Sequence, residues 1–330
     1  TPAPGVDEIP SRQNSRAAGA RLGETPLDRV MPMNAPAIPN AILLATDLSA
    51  RSDRALERAT QLARHWQARL VVLVAMSTDA EFSLPNRTID FTDASDAPPP
   101  QTPAQYVERL ARRDLADAGP IDLRVVIGKP GPTASAVATE TGCGLIVTGT
   151  SHSEVVSRLY PGSTLCWLAR NSDVPVLAVH DRVRGPYRAI SMASDYSTDA
   201  DAALRLADRW FGDAPSRTVL HGYEVPLGTM SLNDGPRREA LDVAQSRADA
   251  EARDHLARAL GEAASGWNPV ARHNGPVRLL RDHSREHATE LTVIASHGRS
   301  RLIDRLIGSI AERLLETVGT DLLVVRPQRG

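Results

Sequence analysis

Two short stretches carry the residues of this chain best suited to hold a ligand. The first is His297-Gly298-Arg299-Ser300-Arg301. The second, Gly308-Ser309-Ile310, begins after the nine residues from Arg299 to Ile307. They follow an apolar run, Leu291 to Ala295, and lead into a helical pattern. A glycine lets backbone approach a ligand with no Cβ in the way. Unpaired N–H groups at a helix start attract phosphate, and the Ser309 hydroxyl adds a donor. Arg299, Arg301 and Arg305 make the loop electropositive. The residues therefore read as an anion site. They also read as glycines that only turn a loop into a helix cap, and spacing alone leaves both readings standing.

Other candidates have duller explanations. His283-Ser284-Arg285-Glu286-His287 has the H-x-x-E-H spacing of some zinc hydrolases, and histidines four apart on a helix share a face. Nothing in the sequence supplies a third ligand, so a solvated helix face is expected and no metal. Gly128-Lys129-Pro130-Gly131 lacks the rest of a phosphate loop, and Pro130 removes a donor that such a loop needs. A turn opening a helix is expected there. Lys129 is the only lysine against 37 arginines, so lysine chemistry has one candidate. Cys143 and Cys166 form no CxxC pair; they read as small apolar residues in a reducing compartment. No G-x-S-x-G elbow and no Cys–His pairing supports nucleophilic catalysis. No catalytic residue, and hence no enzyme, is expected.

The elements that position these residues are written twice. Ala41 to Thr46 is an apolar strand ending at Asp47-Leu48-Ser49, and Leu56, Ala59, Ala63 and Trp66 follow at helical spacing. Strands are expected at 70–76, 122–127, 144–149 and 174–179, with helices between them. Ala189 to Ala193 then leads into Asp195-Tyr196-Ser197 and a second round, with strands near 219–221, 269–273, 291–295 and 322–326. Asp47 and Asp195 differ by 148 positions, and Gly162-Ser163 and Gly308-Ser309 by 146. So steady an offset indicates duplication. Apolar strands alternating with helices imply an α/β fold with parallel sheets.

Composition narrows the partners. The 330 residues suit two domains, and 38 basic against 40 acidic residues give no overall pull toward nucleic acid or an anionic membrane. Aromatics at 4% supply few stacking platforms. No apolar run reaches the length of a membrane span, and the first residues show no apolar stretch of the secretory kind. Neither nucleic-acid binding nor membrane insertion is expected, and a cytoplasmic location is.

The Gly298/Gly308-Ser309 spacing after the fourth strand resembles the glycine motif of the universal stress protein family. Ser309 to Leu315 and the closing Asp321 to Pro327 match as well. The earlier half matches through Gly149, Gly162-Ser163-Thr164 and Val174-Pro175-Val176-Leu177-Ala178-Val179. The resemblance implies two tandem, doubly wound, parallel five-stranded sheet domains of the adenine nucleotide alpha-hydrolase-like kind, related by a pseudo-twofold axis. The organisation expected is a disordered arm (1–38), a first domain (39–181) with an acidic loop (77–104), a linker (182–186) and a second domain (187–328).

By the same resemblance, ATP, with or without Mg2+, is expected as a bound ligand. The residues implied are Asp195, Gly222, Ala295, Gly298, Arg299, Gly308, Ser309 and Ile310. A weaker second site falls on Asp47, Gly149, Gly162 and Ser163. Both halves depart from the motif. Ala295 replaces its first glycine, at a cost of about 1 kcal/mol if the position needs positive φ. His152 replaces the second glycine of the first half, and Glu154 adds a negative charge near the phosphates. The second half is therefore the better site expected. Family members commonly pair through their last strands, here Val174–Val179 and Asp321–Val325, so a homodimer and a protein partner are implied. The alternative is a stress scaffold that acts through dimerisation and protein partners without nucleotide.

Overall fold

The computed structural model describes residues 37–50, 52–76, 103–150, 163–296, 309–317 and 319–326. Runs rich in Val, Ile and Leu, such as Arg69–Met76, form strands because both of their faces can be buried. The first half runs β1 (Ala41–Thr46), α1 (Asp53–Trp66), β2 (Arg69–Met76), α2 (Pro103–Asp114), β3 (Ile121–Ile127), α3 (Pro130–Glu140), β4 (Leu145–Gly149), α4 (Ser163–Asn171) and β5 (Val176–Val179). The second half runs β6 (Ala189–Ala193), α5 (Thr198–Phe211), β7 (Ser216–Tyr223), α6 (Leu227–Met230), α7 (Asp234–Leu260), β8 (Asn268–His273), α8 (Pro276–Glu286), β9 (Leu291–Ala295), α9 (Ser309–Thr317) and β10 (Asp321–Val325).

The described strands form one ten-stranded sheet in the order β3-β2-β1-β4-β5-β10-β9-β6-β7-β8. Each half is parallel, and the halves meet where β10 runs antiparallel to β5, with Leu323 opposite Leu177. The strands through which family members were expected to pair thus pair within this chain, giving a covalent pseudo-dimer. One face is packed by α1, α2, α5 and α7 through residues such as Leu62, Val107, Leu204 and Leu256; the other is packed through Val137, Leu168, Leu280 and Leu314. Among the described residues no helix is long and apolar enough to cross a membrane.

A buried polar network fastens the junction. Asp321, fully buried at the start of β10, accepts hydrogen bonds from His180 N (2.7 Å), Asp181 N (3.0 Å) and the Tyr187 hydroxyl (2.6 Å). Arg58 of α1 sets its Nε 3.4 Å from the same carboxylate and lies 3.9 Å over the Tyr187 ring. Its Nη1 donates to the Gly185 carbonyl at 2.9 Å, between the two halves. Burial, with Asp321 alongside, pushes the Tyr187 phenol well above its usual range. Pro175 occupies the position matching Asp321, so the network is built once. Arg170 of α4 also bonds Glu312 of α9 across the pseudo-twofold.

Some boundaries differ from those expected, for local reasons. β5 starts at Val176 rather than Val174 because Pro175 has no N–H to give; only its carbonyl joins the ladder, accepting from Ile146 N. The long helix of the second half, expected over about 236–263, runs from Asp234 and stops at Leu260, since Gly261 takes φ +60°. Ala37 is not free arm: its carbonyl accepts from Trp210 Nε1 at 3.1 Å. The rest of the expected arm (1–36) and nearly all of the acidic loop (77–102) lie outside the described residues, and α2 begins at Pro103.

Candidate functional site

Both halves end their first strand in the same turn. In the first, Leu48 has φ +58° and its N–H donates to Thr46 Oγ1 at 3.0 Å. In the second, Tyr196 has φ +60° and its N–H donates to Ser194 Oγ at 3.1 Å. A residue with a side chain is strained there by about 1 kcal/mol or more, so its recurrence marks a position that the surrounding structure enforces. The turn presents Asp47 and Asp195 at the C-terminal edge of the sheet, where open α/β sheets hold ligands. Asp47 Oδ1 accepts from Ser49 N (3.0 Å), Ser49 Oγ (2.6 Å) and Ser52 Oγ (2.6 Å). Burial pulls its pKa up, but these donors outweigh that and hold it below the usual value. Asp195 Oδ1 accepts from Ser197 N at 3.1 Å, and Ser197 Oγ caps α5 by accepting from Ala200 N at 3.2 Å.

In the first half this turn borders a cavity of about 280 Å³. Leu73 and Ala75 of β2 and Pro130 of α3 form its apolar wall, while Thr148, Gly149 and Thr164 line the side of β4 and α4. The volume is at the low end of small-molecule pockets, about 300 Å³ and upward. Hydroxyls and one carboxylate dominate its polar groups, which suits hydrogen bonding to a neutral, polyhydroxylated ligand. Gly149 ends β4 opposite Val179. Ser163 opens α4, whereas Gly162, His152 and Glu154 lie outside the described residues.

In the second half, Gly222 pairs with Arg272 in the β7–β8 ladder. A Cβ there would lie 2.5 Å from the Asn274 carbonyl oxygen, so the turn leading into α8 requires a glycine whatever else the residue does. Ala295 ends β9 opposite Val325, and it is not among the residues with positive φ. Its methyl group therefore causes no left-handed strain. α9 begins at Ser309, and Ile310 is 42% exposed on its first turn. Gly298, Arg299 and Gly308 lie outside the described residues.

Sequence reasoning missed a cluster behind Asp195. The Tyr196 ring stacks on His221 with centroids 4.0 Å apart and lies 4.3 Å from His255. His221 Nδ1 is 2.8 Å from the Ser194 carbonyl; a carbonyl only accepts, so the proton sits on Nδ1. His255 Nε2 is 2.8 Å from Asp201 Oδ1. Burial lowers the His255 pKa despite that carboxylate. Leu48 and Val74 hold the matching places in the first half, so only the second has the cluster. A tyrosine directly after the aspartate, and a histidine inside an apolar strand, were the available signals.

The remaining motifs resolve into structure. Residues 128–131 open α3 with Lys129 at its cap and Pro130 in its first turn, and Gly131 makes room for Trp167. The rings of His283, on α8, and His287, at its C-cap, have centroids 4.2 Å apart, and burial, then His287 and Arg272, push His283 down to about 4. Among the described residues no group of three or more metal-ligating side chains comes together. Cys143 is buried, Cys166 half-buried, and burial raises both thiols.

The sequence profile of the Universal stress protein family matches residues 40–180 and again 186–326. Among solved structures, the chain is similar to a universal stress protein from Archaeoglobus fulgidus DSM 4304. The identity is 18%, the match covers 87% of this chain and 98% of that one, and the TM-score is 0.56. It is also similar to a functionally unknown protein from Pseudomonas aeruginosa PAO1, at 19% identity over 88% and 93% of the two chains with a TM-score of 0.55. At these identities the likeness is one of fold.

Proposed function

Because this chain belongs to the universal stress protein family, with the domain present twice in tandem, we propose that it is a binding module for ATP or a related adenine nucleotide, held mainly in the second half. The observation that carries this reading is the strained aspartate turn, repeated at the C-terminal edge of both halves. In the second half it lies beside the strand end from which the Gly298–Gly308 loop departs. Asp195 and the β7 backbone around Gly222 would engage the adenosine. Ala295, Gly298, Arg299, Gly308, Ser309 and Ile310 would border the ribose and phosphates, with Mg2+ as companion to the phosphates. Neutral hydroxyls and N–H groups orient such a ligand, while the loop arginines balance its charge.

One observation favours a second site. The cavity beside Asp47, lined also by Gly149, has the polar lining a nucleoside needs, and in the same proposal these two residues would form a weaker site with Gly162 and Ser163. The role proposed is regulatory binding rather than turnover. Two free cysteines are in keeping with a reducing cytoplasm.

Gly308→Glu tests the assignment, because it sets a carboxylate against the phosphates. Equilibrium dialysis with Mg-ATP is expected to show at least a tenfold loss of affinity, roughly 1.4 kcal/mol, in a protein with an unaltered melting curve. Unchanged affinity would remove the site from the second half.

A further inference from the structure

α7 has 27 residues, about 40 Å of helix, beside the six-residue strand β8, about 20 Å long. Its buried residues, Ala248, Ala252, His255 and Leu256, all lie in its C-terminal half. Its N-terminal half and α6 bury no residue. Of the seven large apolar side chains that the described residues leave exposed, four belong to this arm: Leu227 (92%), Met230 (53%), Leu232 (42%) and Val243 (64%). The matching helix of the first half, α2, has 12 described residues.

The charges on the arm select its partner. Glu239, Val243 and Arg247 are four residues apart, so they form one straight row on the exposed side of α7. Among the described residues neither Glu239 nor Arg247 makes an ion pair. The row reads acid, apolar, base, symmetric about Val243. An antiparallel copy of the same row, turned about a twofold axis at Val243, sets each Glu239 against the other chain's Arg247 and the two valines against each other. Across residues 224–247 the arm carries four acidic and three basic side chains, which gives no pull toward a strongly charged partner. The sheet offers no ready alternative. β5 and β10 are paired with each other, the open edge of β8 carries Pro269, and that of β3 carries Asp122 and Arg124.

We propose that the α6–α7 arm is a self-association surface, joining two copies of this chain antiparallel about Val243 with reciprocal Glu239–Arg247 pairs. The contact is isologous, as a closed dimer requires.

Sedimentation equilibrium of the full chain tests it. The wild type is expected to be a dimer at high micromolar concentration. Glu239→Arg alone and Arg247→Glu alone each oppose like charges and are expected to weaken association about tenfold or more. The double variant Glu239→Arg/Arg247→Glu restores the pairing with signs exchanged and is expected to regain the dimer. Val243→Arg is expected to be monomeric with an unchanged circular dichroism spectrum. A wild type that stays monomeric overturns the proposal. So does a dimer that survives Val243→Arg, or a double variant that fails to recover.

Discussion

Gly222 and Ala295 show how single atoms constrain the edge of the second half. Gly222 is held by the close approach of Asn274, so Gly222→Ala is expected to destabilise the fold by about 1–3 kcal/mol in urea unfolding, through a clash with backbone that cannot turn aside. An unchanged midpoint would mean that the turn yields. Ala295 has the opposite character, since its methyl group sits on ordinary strand backbone. Its departure from the family's glycine could be read in the sequence; its small structural effect could not, because φ is not written in a residue type. The same limit hid the histidines. His255 and His283 both have pKa values lowered from 6.5, His283 to about 4, so the unfolded chain binds protons more readily than the folded one. Stability is therefore intact above about pH 7 and is lost as pH falls through 6.5 toward 4. Replacing both histidines with glutamine is expected to flatten that acid limb in melting experiments. A limb of unchanged steepness would assign it to other groups.

At the scale of elements, the strands that were plainest in sequence are those buried on both faces, β1, β2, β4 and β9. Their apolar runs are continuous because helices cover each side. β8 was legible near 269–273 although an edge strand carrying Asn268, Pro269 and Arg272 has only part of its surface to bury, whereas β7 was read at 219–221 and runs from Ser216 to Tyr223. The junction network was not legible at all. Arg58 and Asp321 stand at opposite ends of the chain, and nothing local marks a helix arginine as the partner of a strand aspartate. Removing one member leaves the other charge buried and unpaired. Asp321→Ala is thus expected to cost about 3–5 kcal/mol in chemical unfolding, with Arg58→Ala close behind. The two losses should fall well short of additive in the double variant, since they share one interaction. Full additivity would show that the two side chains act independently.

At the scale of the molecule, duplication makes one chain do what two do when subunits pair through their last strands. β5 and β10 close the seam internally, and each half ends its first strand in its own aspartate turn. The duplication and the α/β class were both legible, because the 146–148-residue offset and the strand–helix alternation survive divergence. Which half is better furnished was less so. The sequence favours the second half through Gly298 and Gly308, whereas the first half holds a cavity shaped by the packing of Leu73, Ala75 and Pro130. Calorimetric titration of nucleotide-stripped protein with Mg-ATP addresses the central claim most directly. The account predicts saturable binding with one strong site per chain, abolished by Gly308→Glu, and a second, weaker event sensitive to Asp47→Ala. Absence of binding, confirmed by equilibrium dialysis, would contradict it and leave a scaffold built on the same sheet.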